Sequence, residues 1–239
     1  MLPPRLQLPL DMLPQPDETT CGPTCLHAVY RYWGRQELLA DVVARTGKLE
    51  RGGTVAVFLA CDALRQGFQA TIYTFNLTLF DPSWFAGKVD KVDLVERLLR
   101  QRAEKPHDKR VQEVTAGYVE FLRLGGHLRL TDLSRYLLRG ILRRRLPIIT
   151  GLSSTYLYRA MREYGPHDAL DDIRGAPGGH FVVLAGYDRP ARTLLVADPY
   201  GPARDYWIKI DRAVGAILLG VVTHDANLLV IHPPRKQQP

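Results

Sequence analysis

Residues Gln15–Cys25 read QPDETTCGPTC. The first half is a polar, proline-containing loop, and the second half opens an apolar segment. Beyond the junction, Cys25, Leu26, Val29 and Trp33 recur with the spacing of one buried helical stripe. Pro23 suits a first helical turn, where its missing N–H costs nothing, and Gly34 closes the segment. The stretch therefore predicts a helix over 21–34 that starts at a cysteine. Unpaired N–H groups and the positive end of the helix dipole stabilise a thiolate at such a start. Asp17 and Glu18 oppose that effect if they face the sulfur. Position alone leaves two readings for Cys21, an activated nucleophile or a small core residue. Cys25, on the apolar stripe, and Cys61, within a predicted helix, read as core. A metal site from Cys21, Cys25 and His27 lacks a second ligand pair downstream.

Outward from this helix, further helices are expected over 36–46 and 54–66, the latter capped by Thr54, with a strand at Gln69–Phe75. Segments 90–104 and 110–124 read as a helical hairpin inserted into, or capping, the core within 77–130. Another amphipathic helix follows at 132–145, with Thr131 or Asp132 as its cap. Pro147–Gly151 reads as a strand, 154–164 as helical and 165–179 as a loop. Strands then fall at His180–Tyr187, Thr193–Asp198 and Arg204–Ile210, a short helix at 211–219 and a last strand at Asn227–His232. Helices first and an antiparallel meander behind them make an α+β pattern.

Bulk properties narrow the class. The chain has 239 residues, 46% hydrophobic and 24% charged, which is ordinary for a globular protein. No apolar run approaches the roughly 20 residues needed to span a bilayer, and residues 1–18 lack the parts of a signal peptide. Three cysteines do not make a disulfide framework, so a reducing cytoplasm is the default. The net charge is +7. Its densest cluster, Arg139, Arg143, Arg144 and Arg145, sits at the end of a predicted helix, where cations suit the dipole. No specific nucleic-acid partner is expected.

A nucleophilic cysteine needs a base. Among seven histidines, His180 opens the apolar run GGHFVVLAGY. A turn centred near residue 190 places residue 200 opposite His180, with Asp198 a diagonal neighbour about two residues off that pair. Side chains span that separation. A carboxylate there orients an imidazole and stabilises its protonated form, although an aspartate before Pro199 is also an ordinary turn residue. The Cys21 N–H and a side-chain amide can hold an oxyanion, and Gln15 lies six residues upstream.

Gln15, the segment Cys21-Gly22-Pro23-Thr24-Cys25, the run Gly178-Gly179-His180-Phe181-Val182-Val183-Leu184 and Ala197-Asp198-Pro199 together resemble the bacteriocin-processing cysteine peptidases. These are papain-like enzymes that cleave after a double-glycine leader. The resemblance spans 15–34, 52–75 and 146–210. It implies a papain-like peptidase domain over 15–232 after an extension over 1–14, and the chain departs from the family at 77–130, which reads as a helical insertion; the composition of 233–239 reads as a disordered tail. It assigns Cys21 as nucleophile, His180 as base, Asp198 as its partner and Gln15 as oxyanion donor. A peptide or protein substrate and no metal or organic cofactor follow. An acyltransferase or transpeptidase on the same triad, or a non-catalytic peptide-binding domain, remain alternatives. The substrate, the oligomeric state and the role of the insertion are not legible.

Overall fold

The computed structural model describes residues 3–50, 53–87, 90–165, 167–201, 205–223 and 226–234. Gly52, Arg204, His224 and most of the expected tail, 235–239, lie outside them.

A short strand β1 (Arg5–Gln7) precedes α1 (Cys21–Tyr32), α2 (Leu39–Arg45) and α3 (Ala56–Arg65). Strand β2 (Gln69–Thr74) leads into the segment expected to be an insertion, α4 (Lys91–Glu104) and α5 (Lys109–Arg123), which ends in β3 (His127–Leu130). Then come α6 (Arg135–Arg143), β4 (Ile148–Ser153) and α7 (Ser154–Tyr158). Two short strands, β5 (Glu163–Tyr164) and β6 (Ala169–Leu170), pair with each other. The chain finishes with β7 (Gly179–Asp188), β8 (Thr193–Ala197), β9 (Asp205–Lys209), α8 (Ile210–Thr223) and β10 (Asn227–His232).

The main sheet runs β3-β2-β10-β4-β7-β8-β9, with β1 on the far end of β7. The fold is thus the α+β arrangement expected from the sequence, with one qualification. The β2–β3 pair is parallel, and every other pair is antiparallel. Two apolar clusters cover the two faces. One gathers α1, α3 and the insertion helices, for example Leu26, Leu59 and Phe121. The other gathers α6 and α8, for example Leu138 and Ile217. Burial on both faces explains why β7 and β10 read as continuous apolar runs.

Four local expectations are corrected. Residues 5–7, flanked by Pro3 and Pro4, form a strand on Gly186–Asp188. The insertion contributes β3 as well as helices, so it extends the sheet. Thr54 does not cap α3: Val55 occupies the N-cap, and the Thr54 hydroxyl donates to the Gly47 carbonyl at 2.8 Å. Ser134 caps α6 by accepting from the Leu137 N–H at 3.2 Å, one turn later than Thr131 or Asp132. The helices expected over 36–46 and 154–164 are also shorter.

Helix α1 is not merely striped: every residue from Cys21 to Tyr30 is buried, because the helix runs between the sheet and α2–α3. Close approach fixes its second residue. A Cβ on Gly22 would lie 2.4 Å from Thr54 Cγ2. Gly22→Ala is therefore expected to cost about 1–3 kcal/mol by overpacking, read as a lower melting temperature.

Candidate active site

Cys21 is the first residue of α1. The loop before it is shaped by Asp17. Its Oδ1 accepts from the Thr19 N–H and hydroxyl, both at 2.8 Å, and its carbonyl accepts from the Thr20 hydroxyl at 3.0 Å. The Asp17 carboxylate thus serves its own turn, and its Thr19 partner keeps it more acidic than usual.

Strand β7 carries His180 to the same place. Phe181, its neighbour, packs in the cluster around α1, and its carbonyl accepts from the Cys25 thiol at 3.4 Å. β7 is thereby fixed against the first turns of α1. The β7–β8 hairpin has the expected register at the site end, with Val183 opposite Ala197 and Leu184 opposite Val196. A bulge between Leu184 and Gly186 shifts it by one toward the turn. Asp198 follows directly after β8, and His180 Nε2 lies 2.8 Å from its Oδ1. The other ring nitrogen is then left for Cys21, which is coupled electrostatically to the imidazole.

All three side chains are nearly out of solvent. Cys21 and His180 are each 9% exposed and Asp198 2%. Burial alone would favour neutral Cys21, but the hydrogen bond and charge of His180, with backbone bonds at Phe181 and Gly22, win and lower its pKa. Burial likewise opposes an imidazolium, yet the bonds to Asp198 and Cys21 push His180 up to about 9. Both shifts favour the thiolate–imidazolium form of the pair.

Asp198 is held ionised by more than the histidine. Oδ1 also accepts from the Tyr200 N–H at 2.9 Å. Oδ2 accepts from the hydroxyls of Tyr158, at 2.5 Å, and Tyr206, at 2.7 Å. Against burial, the His180 bond leads the groups that lower its pKa. The sequence reading missed both tyrosines. Tyr158 lies on α7 and Tyr206 on β9, 40 and 8 residues from Asp198 in sequence. No local pattern marks either. Tyr158→Phe and Tyr206→Phe each remove one donor to Oδ2. Each is expected to lower kcat by about three- to tenfold, from roughly 1 kcal/mol per bond. Steady-state kinetics at constant fold, checked by circular dichroism, measure this.

Gln15 is on the same side. Its N–H donates to the Pro199 carbonyl at 2.9 Å, so the loop before Cys21 is tied to the loop after Asp198. Its Nε2 donates to the Asp17 carbonyl at 2.9 Å, which leaves one amide hydrogen for another acceptor.

The remaining candidates fall elsewhere. Cys25 and Cys61 are core residues, 0% and 2% exposed, and burial raises both thiols, Cys61 to about 12. His27 Nε2 lies 3.0 Å from the Glu37 carbonyl. All three cysteines are free. No metal-holding group of three or more His, Cys, Asp or Glu exists among the described residues. None of their helices is long and apolar enough to cross a membrane.

Comparison with known proteins agrees with the motifs. Residues 104–215, just under half of the chain, match the sequence model of the Peptidase C39-like family. This is the family the motifs resemble. The matched span contains His180 and Asp198 but not Gln15 or Cys21. No curated protein matches. Among solved structures, the peptidase domain of Streptococcus ComA, a bifunctional ABC transporter of a quorum-sensing pathway, is 14% identical, with a TM-score of 0.44, covering 94% of this chain and 99% of that one. A double-glycine-motif protease from an AMS/PCAT transporter, in complex with the leader peptide, is 14% identical, with a TM-score of 0.46, covering 95% and 94%. Xylellain, a cysteine protease from Xylella fastidiosa, is 14% identical, with a TM-score of 0.47, covering 98% and 88%.

Proposed function

We propose that this protein is a papain-like cysteine peptidase in which Cys21, His180, Asp198 and Gln15 carry the reaction. The observation that supports this most is the buried His180–Asp198 pair at 2.8 Å, coupled to Cys21 at the start of α1. A helix N-terminus at the sulfur and a carboxylate behind the imidazole are the parts that nucleophilic catalysis needs.

The thiolate of Cys21 attacks the carbonyl carbon of a peptide bond. The electron pair moves to the carbonyl oxygen, and the Cys21 N–H and the spare Gln15 amide hydrogen hold that oxyanion. As the tetrahedral intermediate collapses, the C–N bond breaks. His180 gives its proton to the departing amine, leaving a thioester on Cys21. Water then attacks the thioester with neutral His180 taking one proton. Release of the carboxylic acid product restores the thiolate–imidazolium pair. On this reading residues 15–232 act as one domain, and the substrate is a peptide segment extended across the mouth of the site.

The test is hydrolysis of a peptide library by the full chain, with products read by mass spectrometry. Cleavage at a defined bond that Gln15→Ala slows by about 10²-fold in kcat, with KM little changed, supports the reading. Cleavage unaffected by Gln15→Ala removes Gln15 from the oxyanion hole. No cleavage of any peptide counts against hydrolysis.

A further inference from the structure

A concave surface lies at the other end of β7 from His180. Tyr187, which lines it, is seven residues from His180 along the strand, roughly 23 Å at 3.3 Å per residue. The cleft has a volume of about 440 Å³, within the range of small-molecule sites. One wall is the exposed face of α6, with Arg135, Tyr136, Arg139 and Arg143. The opposite wall is the β7–β8 turn, with Arg189 and Arg192.

Five arginines therefore line one cleft. The only carboxylate lining it is Asp211, which pairs with Arg192 at 3.5 Å and is exposed. Arg135, Arg139, Arg143 and Arg189 have no carboxylate partner among the described residues. The helix dipole accounts for Arg143 in the last turn of α6, but not for Arg135 in the first, where a cation is unfavourable. Arg135, Arg139 and Arg143 also stand at i, i+4 and i+8, a repulsive spacing for like charges. A solvated helix end would not need that arrangement, whereas a multiply charged anion relieves it.

The scaffold under these groups is fixed. The Arg189 N–H donates to the Pro4 carbonyl at 2.8 Å, and the Ile210 N–H donates to the Arg192 carbonyl at 3.0 Å. Tyr136 is 66% exposed. The guanidinium carbons of Arg135 and Arg139 lie 5.0 and 5.4 Å from its ring centroid. The Arg135 bond makes its phenol more acidic than usual, as expected in a field that favours anions.

We propose that this cleft binds a small organic polyphosphate, a nucleoside di- or triphosphate in size and charge. The arginines of α6 and of the β7–β8 turn grip the phosphate chain, since guanidinium forks match phosphate oxygens. The exposed Tyr136 ring offers the base a stacking surface. The ligand bridges α6 to the turn and leaves the Cys21 site untouched.

The test is isothermal titration of the full chain in about 0.15 M salt with adenosine mono-, di- and triphosphate, inorganic triphosphate and sulfate. Affinity is expected to rise by about tenfold or more from mono- to triphosphate. It is expected to fall by a similar factor in Arg139→Gln/Arg189→Gln and to be unchanged in Cys21→Ala. Both arginines are on the surface, so an unchanged melting temperature shows that the double variant folds. Tighter binding of ATP than of inorganic triphosphate, removed by Tyr136→Leu, assigns the nucleoside. Equal binding of the two supports the phosphate site and overturns its nucleoside part. Equal affinity for sulfate and triphosphate overturns it, as does full affinity in the double variant. Stronger displacement by duplex DNA or poly-glutamate than by ATP also overturns it.

Discussion

Cys21→Ala and His180→Ala are each expected to abolish peptide hydrolysis, with a loss of roughly 10⁴-fold or more in kcat. The size of the effect follows from the two residues acting as one unit. Without His180 the thiol loses the bond that lowers its pKa against burial. The thiol of a residue that is only 9% exposed then stays protonated at neutral pH. Without Cys21 no covalent intermediate forms. The double variant is expected to be no worse than either single one, since neither residue works alone. Additive losses would show that the two side chains contribute independently.

Asp198→Asn is expected to reduce kcat on the order of 10³- to 10⁴-fold. The carboxylate accepts from His180, Tyr158, Tyr206 and the Tyr200 N–H. An amide nitrogen presented to Tyr158 or Tyr206 meets a donor with a donor, and one presented to His180 forces the wrong tautomer. The substitution also changes how stability depends on pH. The folded pKa of Asp198 lies below its ordinary value. Its contribution is therefore present above about pH 4 and is lost as pH falls through the folded value. His180 is raised to about 9. Its contribution is complete below about pH 6.5 and is lost as pH rises through about 9. Asp198→Asn is expected to flatten both limbs of the melting temperature against pH. Unaltered limbs would place the ion pair elsewhere.

The Cys21 helix and the β7–β8 hairpin were legible in the sequence because their signals are local. Gly34 and the Cys25–Val29 spacing mark α1, and a two-sided apolar run with a turn near residue 190 sets the hairpin register. That register brings His180 and Asp198 together. The tyrosines were hidden because their hydroxyls meet Asp198 only after α7 and β9 are in place. β1 was hidden by the prolines on either side of it, Pro3, Pro4 and Pro9, which read as loop although the ends of an edge strand tolerate them. β3 was hidden by its length of four residues, too short to show a period. The cap of α3 was misread because Thr54 satisfies the Gly47 carbonyl instead of a helix N–H.

The shifts at Cys21 and His180 both favour a thiolate paired with an imidazolium, and we propose that the pair rests in that state. Iodoacetamide alkylation, read residue by residue by mass spectrometry between pH 4 and 10, measures it directly. Cys21 is expected to label rapidly below pH 7, while Cys25 and Cys61 stay protected, and to lose that rate in His180→Ala. Labelling of Cys21 that rises only near pH 8.5, as for a free thiol, and that ignores His180→Ala, would contradict the account.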